Sequence, residues 1–102
     1  MKKLFITCAL ALLAGLSSLS AQTQLVAHRG FWDREGSAQN SIASLVASHE
    51  VKAYGSELDV IITADGIPVV HHDDEVQGMR IEDASYEQIK DIQLKNGEVI
   101  PT

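Results

Sequence analysis

The chain has 102 residues and a net charge of −6, with fourteen acidic against eight basic side chains, which excludes the basic footprint of a nucleic-acid binder. Its single cysteine, Cys8, lies within an apolar N-terminal run, so the rest of the chain has no thiol and no disulfide, and an oxidising compartment would leave it unaffected. An acidic protein that handles phosphates would need a cation to reconcile the charges.

Residues 1–20 read as a signal peptide. Lys2 and Lys3 form a short basic region, Leu4 to Leu16 an apolar one, and Ser18-Leu19-Ser20 a small-x-small cleavage signal, with cleavage after Ser20 or Ala21. The apolar run is too short to span a bilayer, which takes about twenty residues, so no stable membrane span is expected. The competing reading is an uncleaved N-terminal anchor. The product is expected to be exported, to the periplasm or the medium, and the loss of two lysines takes its net charge to −8.

The mature chain, residues 21–102, opens with a predicted strand at Gln24–Ala27, closed by His28-Arg29-Gly30. Phe31 to Gln39 reads as a loop, broken by Gly30 and Gly36. A helix follows from Asn40 as N-cap, with Ile42, Leu45, Val46 and His49 at i, i+3, i+4 and i+7 on its inward face. Gly55 lies beyond its end, and residues 56–62 form a second strand. Asp65-Gly66 signals a hairpin whose return strand runs Val69-Val70-His71-His72, with Pro68 making it an edge. Ser85-Tyr86-Glu87-Gln88 has the form of a capping box opening a helix with Ile89 and Ile92 inward, and Asn96-Gly97 marks a turn. Strand, helix and strand make one βαβ unit, with parallel strands, a right-handed crossover and active groups at the strands' C-terminal ends.

Those ends carry the chemistry. Glu57 and Asp59, two apart on a strand, share a face, and converging carboxylates are costly unless a cation lies between them. If Asp65-Gly66 is a two-residue loop, Asp59 faces His72. If the loop centres on Ala64-Asp65, Glu57 does, whereas a three-residue loop puts His72 on the opposite face. Carboxylates bind a hard cation such as Mg²⁺ or Ca²⁺, Arg29 can grip phosphate bidentately, and His28 and His72 can serve as acid and base near neutrality. His71 is expected to pack beside Val69, and His49 to be structural. Phe31 and Trp32 are expected to pack in the core or a loop, although they could shape the mouth of a site.

The ordered combination resembles the glycerophosphodiester phosphodiesterase family. Its members look like His-Arg-Gly, then a Pro-Glu-Asn-Thr-type stretch, then Glu-Leu-Asp-Val-x-x-Thr-x-Asp-Gly-x-x-Val-Val-x-His-Asp. Glu57 to Asp73 fits that last motif at every fixed position, and Ile100-Pro101-Thr102 is similar to a stretch that opens a further helix. The resemblance implies an α/β fold, the N-terminal portion of a TIM-type (β/α)8 barrel with a small insertion beginning around residues 66–100. His28 and His72 would be the acid/base pair, Glu57 and Asp59 metal ligands for Mg²⁺ or Ca²⁺, and Arg29 a phosphate contact. The implied reaction hydrolyses small glycerophosphodiesters to glycerol 3-phosphate and an alcohol through a cyclic phosphate. Gln39-Asn40-Ser41 departs from the usual Glu-Asn-Thr, and the family's third metal carboxylate lies on a later strand, past Thr102. A TIM barrel takes about 250 residues, so residues 21–102 are expected to be an incomplete domain, inactive alone. The alternatives are a sphingomyelinase D-like barrel phospholipase and a non-catalytic phosphodiester-binding remnant.

Overall fold

The turn after the first strand governs how the front of the chain packs, because its backbone runs hard against a helix. The computed structural model describes residues 21–102, and the expected signal peptide lies outside the described residues. Strand β1 (Val26–Ala27) pairs in parallel with β2 (Gly55–Ser56), Val26 opposite Gly55 and Ala27 opposite Ser56. Helix α1 (Ile42–Glu50) connects them, giving the expected βαβ unit.

Gly30 shows why α1 packs as it does. Its φ is +79°, and a Cβ there would lie 2.2 Å from Ser44 Oγ and 2.8 Å from the Ser44 backbone carbon, so only glycine fits. Contact this close admits only small residues on the facing side of α1, and Ser44, Ala47 and Ser48 are the buried ones. They also satisfy the loop backbone: Phe31 N–H donates to Ser44 O at 3.0 Å and Ser48 Oγ at 2.9 Å, and Ser44 Oγ–H to Arg29 O at 3.2 Å. The expected inward face is therefore reversed, with Ile42, Leu45, Val46 and His49 exposed.

The N-terminal end of the helix differs from expectation too. Ser41, not Asn40, is the N-cap, its Oγ accepting from Ser44 N–H at 3.0 Å. Asn40 lies one residue earlier in a left-handed conformation (φ 56°), where its N–H donates to Arg29 O at 2.9 Å. The helix stops well before Gly55, in a Schellman arrangement: Lys52 N–H donates to His49 O and Ala53 N–H to Ser48 O, with Lys52 at φ 56°.

The second half is built from hairpins. β3 (Val60–Ile62) and β4 (Pro68–Val70) are antiparallel, with Val60 opposite Val70, Ile61 opposite Val69 and Ile62 opposite Pro68. Thr63 N–H donates to Ile67 O at 2.9 Å, closing a three-residue loop, so neither tight register holds. Thr63 sets this length. Its Oγ1 accepts from Ile67 N–H at 3.0 Å and donates to Asp65 Oδ1 at 2.6 Å, while Gly66 takes the left-handed position (φ +83°) of such loops. β5 (Glu75–Val76) and β6 (Met79–Arg80) make a second hairpin, with Gln77 and Gly78 both left-handed.

A 3-10 helix (Ile81–Asp83) and a short helix α2 (Tyr86–Ile89) follow. As expected, Gln88 caps α2 from its side chain, accepting from Ser85 N–H at 2.9 Å. Asn96-Gly97 turns the chain between Gln93 and Val99, which bridge. The hydrophobic core lies in this half: Val69, Ile81, Ala84, Ile89 and Ile100 are buried, with Ile92 partly buried against them as expected.

The architecture is α/β. Its strands form three two-stranded sheets, and no barrel closes among the described residues. The strand expected over 56–62 is split, β2 serving one sheet and β3 another. No described helix is long and apolar enough to cross a membrane.

Candidate functional site

The split in that strand falls at Glu57-Leu58-Asp59, so both carboxylates lie at the seam between two ladders. Glu57 N–H still donates to Ala27 O at 2.8 Å, continuing the parallel pair, and His71 N–H donates to Asp59 O at 3.0 Å, continuing the antiparallel one. Across from them, Gly30 N–H donates to Ala27 O at 3.2 Å and closes the turn after β1, with Arg29 in the left-handed region at φ 58°. Such backbone is sparsely populated for a non-glycine residue and costs about 1–3 kcal/mol, and it aims the Arg29 side chain into the seam.

Arg29 is the hub. Its backbone N–H donates to Glu57 Oε2 at 3.0 Å, and its Nε lies 3.8 Å from Asp59 Oδ2. Nη1 donates to Gln39 Oε1 at 2.7 Å, and Nη2 meets His72 Nε2 at 2.6 Å. Asn40 holds Asp59 reciprocally: Nδ2 donates to Oδ2 at 3.0 Å, and Asp59 N–H donates to Oδ1 at 3.3 Å. His28 is exposed, its Nε2 3.8 Å from Glu57 Oε2.

The five residues singled out in the sequence thus meet at one place, although His72 arrives by a different route. The ladder sets His71, not His72, beside Asp59, because the three-residue loop shifts the register. His72 enters the cluster just past β4 through Arg29. Its Nδ1 is 2.7 Å from Asp73 Oδ1, a hydrogen bond that holds the Asp73 carboxyl below its ordinary range. His71 is half-buried, and burial pushes its imidazole pKa down. A cleft of ≈ 390 Å³ opens beside the cluster, lined among others by His71, His72, Gln39, Trp32, Leu94 and Lys95. Trp32 thus helps to shape the opening rather than the core.

Gln39, Asn40 and Asp73 complete the cluster; all three lie in the motif stretches, but the pattern gives none of them a role at the site. Asn before a helix reads first as a cap, and an exposed Asp after a His reads first as solvated surface. Glu57 and Asp59 are hard oxygen donors, and among the described residues no hydrogen bond reaches Glu57 Oε1 or Asp59 Oδ1. The chemistry of this donor pair suits a hard divalent cation, although no group of three or more His, Cys, Asp or Glu able to hold a metal occurs among the described residues.

The similarities to known proteins point the same way. A glycerophosphodiester phosphodiesterase of Caldanaerobacter subterraneus subsp. tengcongensis is 38% identical over 84 residues, covering 76% of this chain and 34% of that protein. The crystal structure of a glycerophosphodiester phosphodiesterase from Parabacteroides distasonis superposes with a TM-score of 0.77 at 54% identity, over 78% of this chain and 33% of that one. A further structure of this type, from Galdieria sulphuraria, gives a TM-score of 0.70 at 25% identity, over 81% and 36% of the two chains. The chain spans about a third of the length of these relatives. The family model for the glycerophosphoryl diester phosphodiesterase family matches residues 28–102, from the first site histidine onward, and the chain belongs to that family.

Proposed function

We propose that this chain carries the front of a metal-dependent phosphodiesterase site that hydrolyses glycerophosphodiesters to glycerol 3-phosphate and an alcohol. The observation that carries the reading is the convergence of Glu57, Asp59 and His72 on Arg29, with His28 beside Glu57, where β1, β2 and β4 end. Family membership supports metal dependence in general, and Glu57 and Asp59 would hold the cation, of Mg²⁺ or Ca²⁺ type. When bound, it would neutralise charge on the phosphodiester.

The residues of the chain do the rest. Arg29 binds the phosphate through guanidinium N–H groups, and Asn40 keeps Asp59 oriented by its paired hydrogen bonds. His28 and His72 move protons, one taking the proton of the glycerol hydroxyl that attacks phosphorus, the other giving one to the leaving alcohol. Water then attacks phosphorus of the cyclic phosphate and one ring P–O bond breaks, the freed glycerol oxygen taking a proton, to give glycerol 3-phosphate. In this reading β1 and β2 are the first strands of a TIM-type barrel, a small insertion begins around residues 66–100, a later strand supplies a third metal ligand, and the protein is exported.

The test is phosphorus NMR of glycerophosphocholine incubated with the protein secreted by its source cells, beside its intact mass. Free glycerol 3-phosphate is expected, and a His72→Ala variant should be slower by about 10²–10⁴-fold. A cyclic phosphate retained as the end product would favour the sphingomyelinase D-like alternative. Tight Mg²⁺ binding with no turnover would leave a binding protein.

A further inference from the structure

The geometry points to Asp73 as a positioning residue that holds His72 in its Nδ1-protonated tautomer, and to Arg29 as a cover over the His72 Nε2 lone pair that a bound phosphate draws away. The second half rests on the reading of Arg29 as the phosphate contact.

A guanidinium has only donors. With Arg29 Nη2 at 2.6 Å, His72 Nε2 must therefore accept, and it carries no hydrogen. A neutral imidazole has a single N–H, so the proton is on Nδ1, where Asp73 Oδ1 accepts it at 2.7 Å. The lone pair needed to take a proton from substrate is thus on the correct atom but covered. The two groups assigned to phosphate binding and to proton transfer occupy each other.

The other end of Arg29 shows what would release it. Nη1 rests on Gln39 Oε1, an uncharged acceptor, and Nε is a buried N–H with no hydrogen-bond partner among the described residues, 3.8 Å from Asp59 Oδ2. Among the described residues no carboxylate clamps the fork bidentately. A phosphate is an anion that the guanidinium fork can grip with two parallel hydrogen bonds, an ion pair that a neutral imidazole nitrogen cannot offer, so phosphate outcompetes His72 for Nη2. Once Arg29 turns to phosphate, Nε2 is free and Asp73 alone keeps the proton on Nδ1.

Two-bond ¹H–¹⁵N spectra of the imidazoles, with guanidinium signals followed in parallel, test both halves, with inorganic phosphate as the probe and pH kept where His72 is neutral. In the wild type His72 should be protonated on Nδ1, and phosphate should move the Nε2 signal together with that of Arg29 while the Nδ1 proton stays. In Asp73→Ala, phosphate should produce the Nε2-protonated tautomer, since both restraints are then gone. Nε2 protonation in the unliganded wild type overturns the tautomer assignment. A response at Arg29 with none at His72 overturns the cover. No response at Arg29 overturns its reading as the phosphate contact, and the release with it, while the tautomer is judged on the free protein. Asp73 is exposed, so its truncation leaves the fold intact, and the wild-type titration decides in any case.

Discussion

The front of the described chain, up to Asp59, buries small and polar side chains, whereas the back, from Val60 onward, buries large apolar ones. In the front the buried residues are Gly30, Ala38, Asn40, Ser41, Ser44, Ala47 and Ser48, and Leu25, Val26, Ile42, Leu45 and Val46 are exposed. In the back Val69, Ile81, Ile89 and Ile100 are sealed from solvent. The front is therefore organised by hydrogen bonds around two left-handed residues, Arg29 and Asn40, and the back by area removed from water. The cluster of ionisable groups sits where the two meet, at the hydrogen bond from His71 N–H to Asp59 O. Directional bonds fix side-chain positions more closely than apolar contact does, which suits a surface that must hold charges at set distances.

If each half is held in its own way, damage to one should spare the other. Ile81→Ala removes a fully buried side chain and should cost about 2–5 kcal/mol, read from the urea midpoint. Amide exchange should show protection lost first over residues 60–100 and last in α1. Gly30→Ala adds a Cβ where φ is +79° and Ser44 stands 2.2 Å away, and should cost about 2–4 kcal/mol. Its loss of protection should run the other way, through α1 and the Arg29 turn. A uniform loss in both variants would mean one cooperative unit and no division of labour.

Asp65 offers a subtler test of the back half. Thr63 Oγ1–H and Tyr86 N–H both donate to its Oδ1, and these bonds hold its carboxyl below the ordinary value of 3.8. A depressed carboxylate stabilises the fold above its unfolded pKa and loses that contribution as pH falls through the lowered folded value. Asp65→Asn should therefore be the less stable protein at neutral pH, and the gap should close on acidification through that window. An unchanging gap from neutral pH to acid would mean that the charge of Asp65 contributes nothing.

The same division explains what could be read from the sequence. Features set by neighbours in the chain were legible: the turn at His28-Arg29-Gly30, the Gln88 cap of α2 and the Asn96-Gly97 turn. So was the juxtaposition of His28, Arg29, Glu57 and Asp59, because parallel strands bring their ends together. Features set by a distant contact or a particular hydroxyl were not. The Ile42-Leu45-Val46-His49 face of α1 has the helical period, but Gly30, a dozen residues earlier, decides which face can approach. The hairpin register turned on Thr63 Oγ1 rather than on Asp65-Gly66 alone. Asn40 looked like a cap and instead holds Asp59, a role visible only once the seam is in place.

The smallest effect expected is also the one that separates pattern from packing most directly. Leu45 lies beside Ser44 on α1, at a position where periodicity assigns a core residue and a cost of about 2–5 kcal/mol on truncation. It is 48% exposed, whereas Ser44 is 1% exposed. Leu45→Ala should therefore change the stability of this chain by less than about 0.5 kcal/mol, since alanine's higher helix propensity offsets the modest packing of a half-exposed side chain. Ser44→Val, which is small and apolar, should cost more, because it removes the hydroxyl that donates to Arg29 O and Ser41 O and adds bulk against Gly30. A destabilisation at Leu45 of about 2 kcal/mol or more, the size of a core truncation, would mean that this face is covered in solution. The hydrogen-bonded face would then be only half of what holds the front together.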